Sequence, residues 1–190
     1  MIEFLASLPL FQALPESERQ RLIAAVEPVE LRAGEVLFRQ GDPGDALYIV
    51  RSGTLQVALT LPSGEQQVLD TLGEGEVVGE MAVLYRRPRA ATAQGLTDCS
   101  LLRLSAAAIG ALFAASPQAH RLLVDAAARR LPSLYLASVP IFAGLDADSL
   151  REFDLETNWV RLAGGEVLFR EGDPADYLYV VVRGRLAVVT

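Results

Sequence analysis

The sequence predicts a mainly β domain with flanking helices, an α+β jelly roll or double-stranded β-helix, followed by the first half of a second such unit. Three observations carry this. Between Val29 and Leu104 the pattern is short and strand-like: Leu55, Val57 and Leu59 alternate with Thr54, Gln56 and Thr60, one set for each face of a pleated strand. Turn signals interrupt that region often, at Gly34, Gly41-Asp42-Pro43-Gly44, Ser52-Gly53, Pro62-Ser63-Gly64 and Gly73-Glu74-Gly75. Many short strands at this spacing fold as a roll or small barrel. The third observation is an internal repeat at an offset of 131 residues. LASLPLF (Leu5–Phe11) recurs as LASVPIF (Leu136–Phe142), and AGEVLFRQGDPGDALYIV (Ala33–Val50) recurs as GGEVLFREGDPADYLYVV (Gly164–Val181), with 13 of the 18 positions identical.

In chain order, Glu16–Val26 sets Leu22, Ile23 and Val26 beside Glu and Arg and reads as an amphipathic helix. The roll then runs over about residues 28–104. One segment inside it breaks the strand pattern: Gly79–Tyr85 reads as one or two helical turns entered through a glycine. Ser105 is placed to cap a helix running through Ala115, and Pro117–Leu131 reads as a longer helix that hands the chain to the second unit. Ser52–Leu59 maps onto Arg183–Thr190, so the counterpart of Glu80 would fall beyond Thr190. The expected division is a complete domain over residues 1–134 and the N-terminal part of a second over 135–190.

The chain has 190 residues, 51% hydrophobic and 22% charged, with a net charge of −7. All 17 basic residues are arginine. An acidic chain with scattered arginines predicts no nucleic-acid surface. Cys99 is the single cysteine, so no internal disulfide forms, as expected of a reducing compartment. The N-terminus lacks a basic n-region, and the longest small-apolar run, Ala106–Ala115, is too short to span a bilayer. The expected location is the cytosol.

The stretch GEMAVLYRRPRAATA, Gly79–Ala93, sets Glu80 nine residues before Arg89 among small and apolar neighbours. A helix entered through glycine offers unpaired N–H groups to an anion, and Gly79 allows close backbone approach. Arg89 adds a permanent charge and a fork of donors suited to phosphate oxygens. Ala90 and Ala91 leave room and reachable N–H groups. Glu80 repels a phosphate but accepts hydrogen bonds from a sugar hydroxyl. One phosphate, one hydroxyl and a tight apolar pocket describe a small nucleotide.

This stretch closely resembles the phosphate-binding cassette of the cyclic nucleotide-binding domain, and the GDPxDxLY turn, the Ser52-Gly53 glycine and the flanking helices match that family as well. The resemblance covers Leu8 to about Leu131, and its first half again from Val139 to Thr190. It implies that Glu80 takes the ribose 2′-hydroxyl, that Arg89 takes the exocyclic phosphate oxygens, that the N–H groups of Ala82 and Ala90 complete the cradle, and that Gly79 lines the ribose side. The site residues it implies are Gly79, Glu80, Met81, Ala82, Arg89, Ala90, Ala91 and Thr92. Val78 stands where the family often has Phe. In the family a Thr after the cassette arginine goes with guanine; Ala90 here points to cAMP over cGMP. The base-capping residues come from C-terminal helices in the family and have no assignment here.

Other motifs read more plainly. GEGEVVG (Gly73–Gly79) has the wrong spacing for a dinucleotide fingerprint. The GDPGD and GDPAD segments read as turns with Asp capping rather than calcium loops. Arg86 and Arg87 read as solvated loop charges, and His120 as a surface residue. One His, outside the β region, cannot supply the ligand set of a metal-dependent jelly-roll enzyme; no G-x-S-x-G elbow is present, and Cys99 reads as a buried structural thiol. The expectation is a non-catalytic regulatory module without a metal, which passes ligand occupancy through helices between Ser105 and Leu134 to an effector domain, or self-associates through the second unit. Tandem units occur in kinase regulatory subunits. The near linker-free hand-over at Arg130–Asp146 most resembles the regulatory region of bacterial neuropathy-target-esterase-like patatin phospholipases. A nucleotide-free interaction domain is the remaining alternative.

Overall fold

The structure is a computed structural model that describes residues 2–61, 63–128, 160–181 and 184–188, together with Leu136, Phe142, Leu145 and Ser149. Short helices α1 (Ile2–Ser7), α2 (Pro9–Gln12) and α3 (Glu16–Ala24) precede eight strands. These are β1 (Glu27–Leu31), β2 (Val36–Phe38), β3 (Ala46–Ser52), β4 (Leu55–Thr60), β5 (Gln66–Leu72), β6 (Val77–Val78), β7 (Thr92–Gly95) and β8 (Cys99–Ser105). Helix α4 (Glu80–Tyr85) interrupts them between β6 and β7, and α5 (Ala106–Ala115) and α6 (Pro117–Ala128) follow. The roll and the helix inside it stand where the alternation and the glycine entry place them. Ser105 caps α5 as expected, its Oγ accepting from Ala108 N–H at 3.2 Å. Helix α6 is described as far as Ala128; the rest of the expected span to Leu131, and most of the hand-over, lie outside the described residues. None of the described helices is long and apolar enough to cross a membrane.

The strands form two four-stranded antiparallel sheets, in the orders β1-β8-β3-β6 and β2-β7-β4-β5. Every pairing joins one of β1–β4 to one of β5–β8, so the chain is wound double and neither half of the unit holds a pair of its own. Val50, Leu55, Leu72, Ala93 and Leu101 fill the space between the sheets. The other face of the first sheet carries Leu47, Ile49, Leu102 and Leu104, which pack against Leu5, Phe11, Leu22, Ile109 and Leu123 of the helices. With both faces covered, β3 is buried or half-buried from Ala46 to Val50, while in β4 a bulge between Val57 and Ala58 breaks the expected alternation, so that Ala58 and Leu59 are both buried and Leu59 leaves the face that Leu55 occupies. Cys99 is buried, as expected, with its Sγ at 3.3 Å from Thr54 O and 3.2 Å from Thr97 O.

A third cluster joins Leu59, Leu69 and Ala91 to Leu136 and Phe142, with Leu145 and Val180 alongside. Gln67 fixes it by donating to the Leu145 carbonyl at 2.7 Å. Under the repeat offset, Leu136, Phe142 and Leu145 correspond to Leu5, Phe11 and Leu14, which lie in the helix-side core of the first unit.

The second copy keeps the turns of the first. Gly165, Gly172 and Gly184 have φ of 83°, 91° and 100°, against 82°, 88° and 87° at Gly34, Gly41 and Gly53. Glu166 accepts from Ala163 N–H at 2.7 Å, as Glu35 does from Arg32 N–H at 2.7 Å. Asp173 accepts from Arg170 N–H at 2.7 Å, as Asp42 does from Arg39 N–H at 2.8 Å. Yet residues 160–181 and 184–188 contain no strand, and Phe169, Tyr177, Leu178, Val181 and Val188 are exposed. The turns need only their own residues; the strands need partners from the later half of a unit.

Exposed apolar residues without ladder partners invite pairing with another chain. The 190-residue chain should therefore self-associate, or exchange its amides over residues 160–181 far faster than those of β3 and β8, whereas residues 1–135 alone should be monodisperse. Light scattering on size-exclusion fractions and hydrogen exchange read both outcomes. A monomeric full chain with residues 160–181 as protected as β8 would contradict the division at residue 135.

Candidate functional site

Helix α4 begins at Glu80 from an N-cap at Gly79 whose φ is +82°. A Cβ at Gly79 would lie 2.4 Å from Arg89 Nη1, so the position is closed to side chains by both conformation and space. Gly44, in the GDPGD turn, is closed by space alone: a Cβ there would sit 2.1 Å from Ala82 Cβ. The turn grips the cassette at the backbone as well. Arg89 N–H donates to Asp42 O, Gly41 N–H donates to Arg89 O, both at 2.9 Å, and Gln40 N–H donates to Thr92 Oγ1 at 3.0 Å.

These constraints bury Arg89 to 3% exposure and Glu80 to 2%. The Arg89 guanidinium lies 4.2 Å over the Phe38 ring and 5.8 Å from that of Tyr48. Nη1 donates to Gly79 O at 3.0 Å, and Nη2 is 3.8 Å from Asp45 Oδ1. Asp45 also accepts from Arg103 Nη2 at 3.0 Å, and Arg103 Nη1 donates to Glu27 Oε2 at 2.6 Å. Burial pushes the Arg89 guanidinium below its ordinary pKa, and Tyr48, Asp45, Glu80 and Asp42 push it back. The hydrogen bond to Glu27 holds Arg103 above its own ordinary value. Arg89 Nε is buried with no hydrogen-bond partner among the described residues. An unsatisfied donor on a charged group is expensive, and an anionic acceptor is what relieves it.

Seven of the eight expected site residues meet in one cavity of about 50 Å³: Gly79, Glu80, Met81, Ala82, Arg89, Ala90 and Ala91 are in its wall, with Phe38, Val57 and Val78. Thr92 is not in that wall; it opens β7 and anchors the turn through Gln40. Arg86 and Arg87 are exposed, as expected of loop charges, and His120 is exposed with its ring edge-on to Phe113 at 4.6 Å.

Phe38, Tyr48, Asp45 and Arg103 escaped the reading of the cassette because they lie 41 to 51 residues from Arg89 or across the sheet. A signal for three of them was present. The repeat keeps Phe38, Asp45 and Tyr48 as Phe169, Asp176 and Tyr179. Phe169 and Tyr179 even hold the same ring pairing, centroids 6.0 Å apart against 6.1 Å for Phe38 and Tyr48.

Comparison with known proteins agrees with this geometry. The cyclic nucleotide-binding domain model matches residues 28–116. The chain is 32% identical over 94% of its length to the cAMP-dependent protein kinase regulatory subunit of Dictyostelium discoideum, covering 52% of that protein. It is 30% identical over 83% of its length to mouse patatin-like phospholipase domain-containing protein 6, covering 11% of it. The chain thus spans about half the length of the first and a small part of the second. Among solved structures, the sensor domain of the transcriptional regulator DNR from Pseudomonas aeruginosa superposes with a TM-score of 0.60, at 30% identity over 67% of this chain and 86% of that one. The regulatory domain of Toxoplasma gondii PKA, solved with cAMP, superposes with a TM-score of 0.57, at 31% identity over 80% of this chain and 55% of that one. Relatives of both kinds named from the hand-over and the tandem repeat are therefore present, and a roll wound double around a buried cassette arginine places this chain in the cyclic nucleotide-binding domain family.

Proposed function

We propose that the chain is a cAMP-binding sensor module in which Arg89 takes the cyclic phosphate and Glu80 the ribose 2′-hydroxyl. The observation that carries this is the buried Arg89 Nε without a hydrogen-bond partner among the described residues, on a guanidinium held by one carbonyl, an ion pair at 3.8 Å and the faces of two aromatic rings. A phosphate supplies the missing acceptor in a site too dry for water to do so cheaply. The N–H groups of Ala82 and Ala90, both in the cavity wall, complete the cradle. The kinase subunit and the Toxoplasma domain support cAMP as the ligand through the names and the nucleotide they carry.

A cavity of about 50 Å³ is below the roughly 300–1,000 Å³ of ligand pockets, so binding requires it to widen. Val57 and Ala91 belong both to its wall and to the cluster with Leu136 and Phe142. Widening therefore presses on the start of the second unit, while α4 presses on the α5–α6 pair that leads there. Occupancy reaches the neighbouring unit by these two routes, as a population shift. On this reading the module is regulatory, as its kinase-subunit relatives are named. The likeness to the mouse phospholipase supports a second reading of the parent, in which a lipid-hydrolysing effector follows.

Arg89→Ala should weaken cAMP binding by about 2–4 kcal/mol, roughly 30- to 1,000-fold, through loss of a charge-assisted pair in a dry site. Glu80→Gln should cost less, since the amide still accepts a hydrogen bond. Calorimetry on both variants decides the assignment, and an unchanged affinity in Arg89→Ala refutes it. Between nucleotides, cAMP should be preferred by on the order of tenfold, because Ala90 lacks a hydroxyl for guanine and one hydrogen bond is worth about 1 kcal/mol. A competition assay in which cGMP displaces cAMP at the lower concentration overturns that preference. Finally, cAMP should change hydrogen-exchange protection over residues 105–128; protection changes confined to residues 79–93 would argue against transmission.

A further inference from the structure

A second and larger cavity, about 570 Å³, lies between α4, α5 and α6. Ala82 is in the wall of both cavities, but the rest of α4 divides: Gly79, Glu80 and Met81 face the nucleotide site, Val83 and Leu84 the larger groove. The groove's volume is that of a small-molecule pocket. Its wall is polar and apolar in about equal measure: Val83, Leu84 and Phe113 are its large apolar side chains with accessible surface, and Arg86, Arg87 and His120 its charged or polar ones. No acidic residue lines it, in a chain with 24 of them.

Two of these residues stand against local preference. Arg86 is the single non-glycine residue with positive φ among the described residues, at φ 51° and ψ 50°, where it ends α4. That position favours glycine, and an exposed arginine there stores strain. Gly110 sits inside α5, where it weakens the helix, and a Cβ on it would meet nothing within 4 Å. One unfavourable choice puts an exposed cation beside the groove, and the other leaves its exposed edge on α5 without a side chain. Neither Arg86 nor Arg87 has a side-chain ion pair among those found in the described residues. Rules broken at two positions of one cavity mark a functional site rather than an accident of packing.

We propose that this groove is a second binding site, for a small amphipathic anion: an alkyl chain along the half-buried Val83, Leu84 and Phe113, and a carboxylate or phosphate head at Arg86 and Arg87. The proposal does not rest on the nucleotide reading, although the two cavities share Ala82 and lie on opposite faces of α4. Arginine suits the head because its charge is permanent and its fork meets two oxygens at once.

The test titrates the full chain with dodecanoate and dodecyl phosphate below their micellar concentrations, with dodecanol and dodecyltrimethylammonium as the uncharged and cationic counterparts. Both anions should bind saturably, one per chain, and at least tenfold more tightly than either counterpart. Arg86→Gly combined with Arg87→Ala should weaken the anions at least tenfold, while Arg86→Gly alone should raise the melting temperature by relieving strain. Gly110→Leu sets a large side chain at the groove's edge and should weaken binding at least tenfold with both arginines in place; Gly110→Ala should retain it. Equal affinity for dodecanol, unaltered binding in Gly110→Leu, or association only with anionic phospholipid vesicles would each overturn the proposal, the last in favour of a membrane surface.

Discussion

A guanidinium at 3% exposure is the constraint around which the rest of the domain is arranged. Taking a permanent charge out of water costs several kcal/mol unless its surroundings answer it. Here the answer comes from far along the chain. Phe38 and Tyr48 supply ring faces, Asp45 a distant carboxylate, and Gly79 a carbonyl. Each of these is on a different strand, turn or helix end, so the arginine can be held only when the two sheets are closed on one another. The glycines follow from the same requirement: a side chain at Gly79 would strike the guanidinium, and one at Gly44 would push the GDPGD turn off α4.

That dependence explains the contrast between the two copies of the repeat. Phe169 and Tyr179 reproduce the ring pair, and Asp173 reproduces the turn, because each arises within one short segment, ten residues apart for the rings and three for the turn. The sheet does not follow, because the winding pairs each early strand with a late one. Leu136 and Phe142 show the other consequence. Their counterparts Leu5 and Phe11 are buried against the first unit's own helices, but these two rest on Leu59, Leu69 and Ala91 instead. Leu136 and Phe142 thus rest on the same Ala91 that lines the small cavity.

Much of this was legible in the sequence where the governing interactions are local. The Ser105 cap, the Asp42 turn and the glycine entry to α4 all depend on residues within a few positions, and each stands as read; the alternation of β4 does not, because the bulge at Val57 and Ala58 is set by pairing with β5. The cassette residues were legible from one contiguous stretch. The aromatic and carboxylate support of Arg89 was not, since it depends on register between strands some 45 residues apart, although the repeat preserved its members. Thr92 had the look of a cavity residue from its place in the motif, but β7 turns its hydroxyl to Gln40 N–H. The groove at Arg86 and Gly110 was hidden for a different reason: neither residue is unusual by type, only by the backbone conformation or the helix position in which it sits.

The central claim is that Arg89 is held ready for a phosphate, and nuclear magnetic resonance of its side chain tests it most directly. With the guanidinium nitrogens labelled, the Arg89 Nε–H resonance of the free chain should report a donor without an acceptor. On saturation with cAMP it should move strongly downfield, and its exchange with solvent should slow. An Nε–H resonance that is unchanged by saturating cAMP, while cassette amides elsewhere respond, would place the phosphate on other groups and contradict the account.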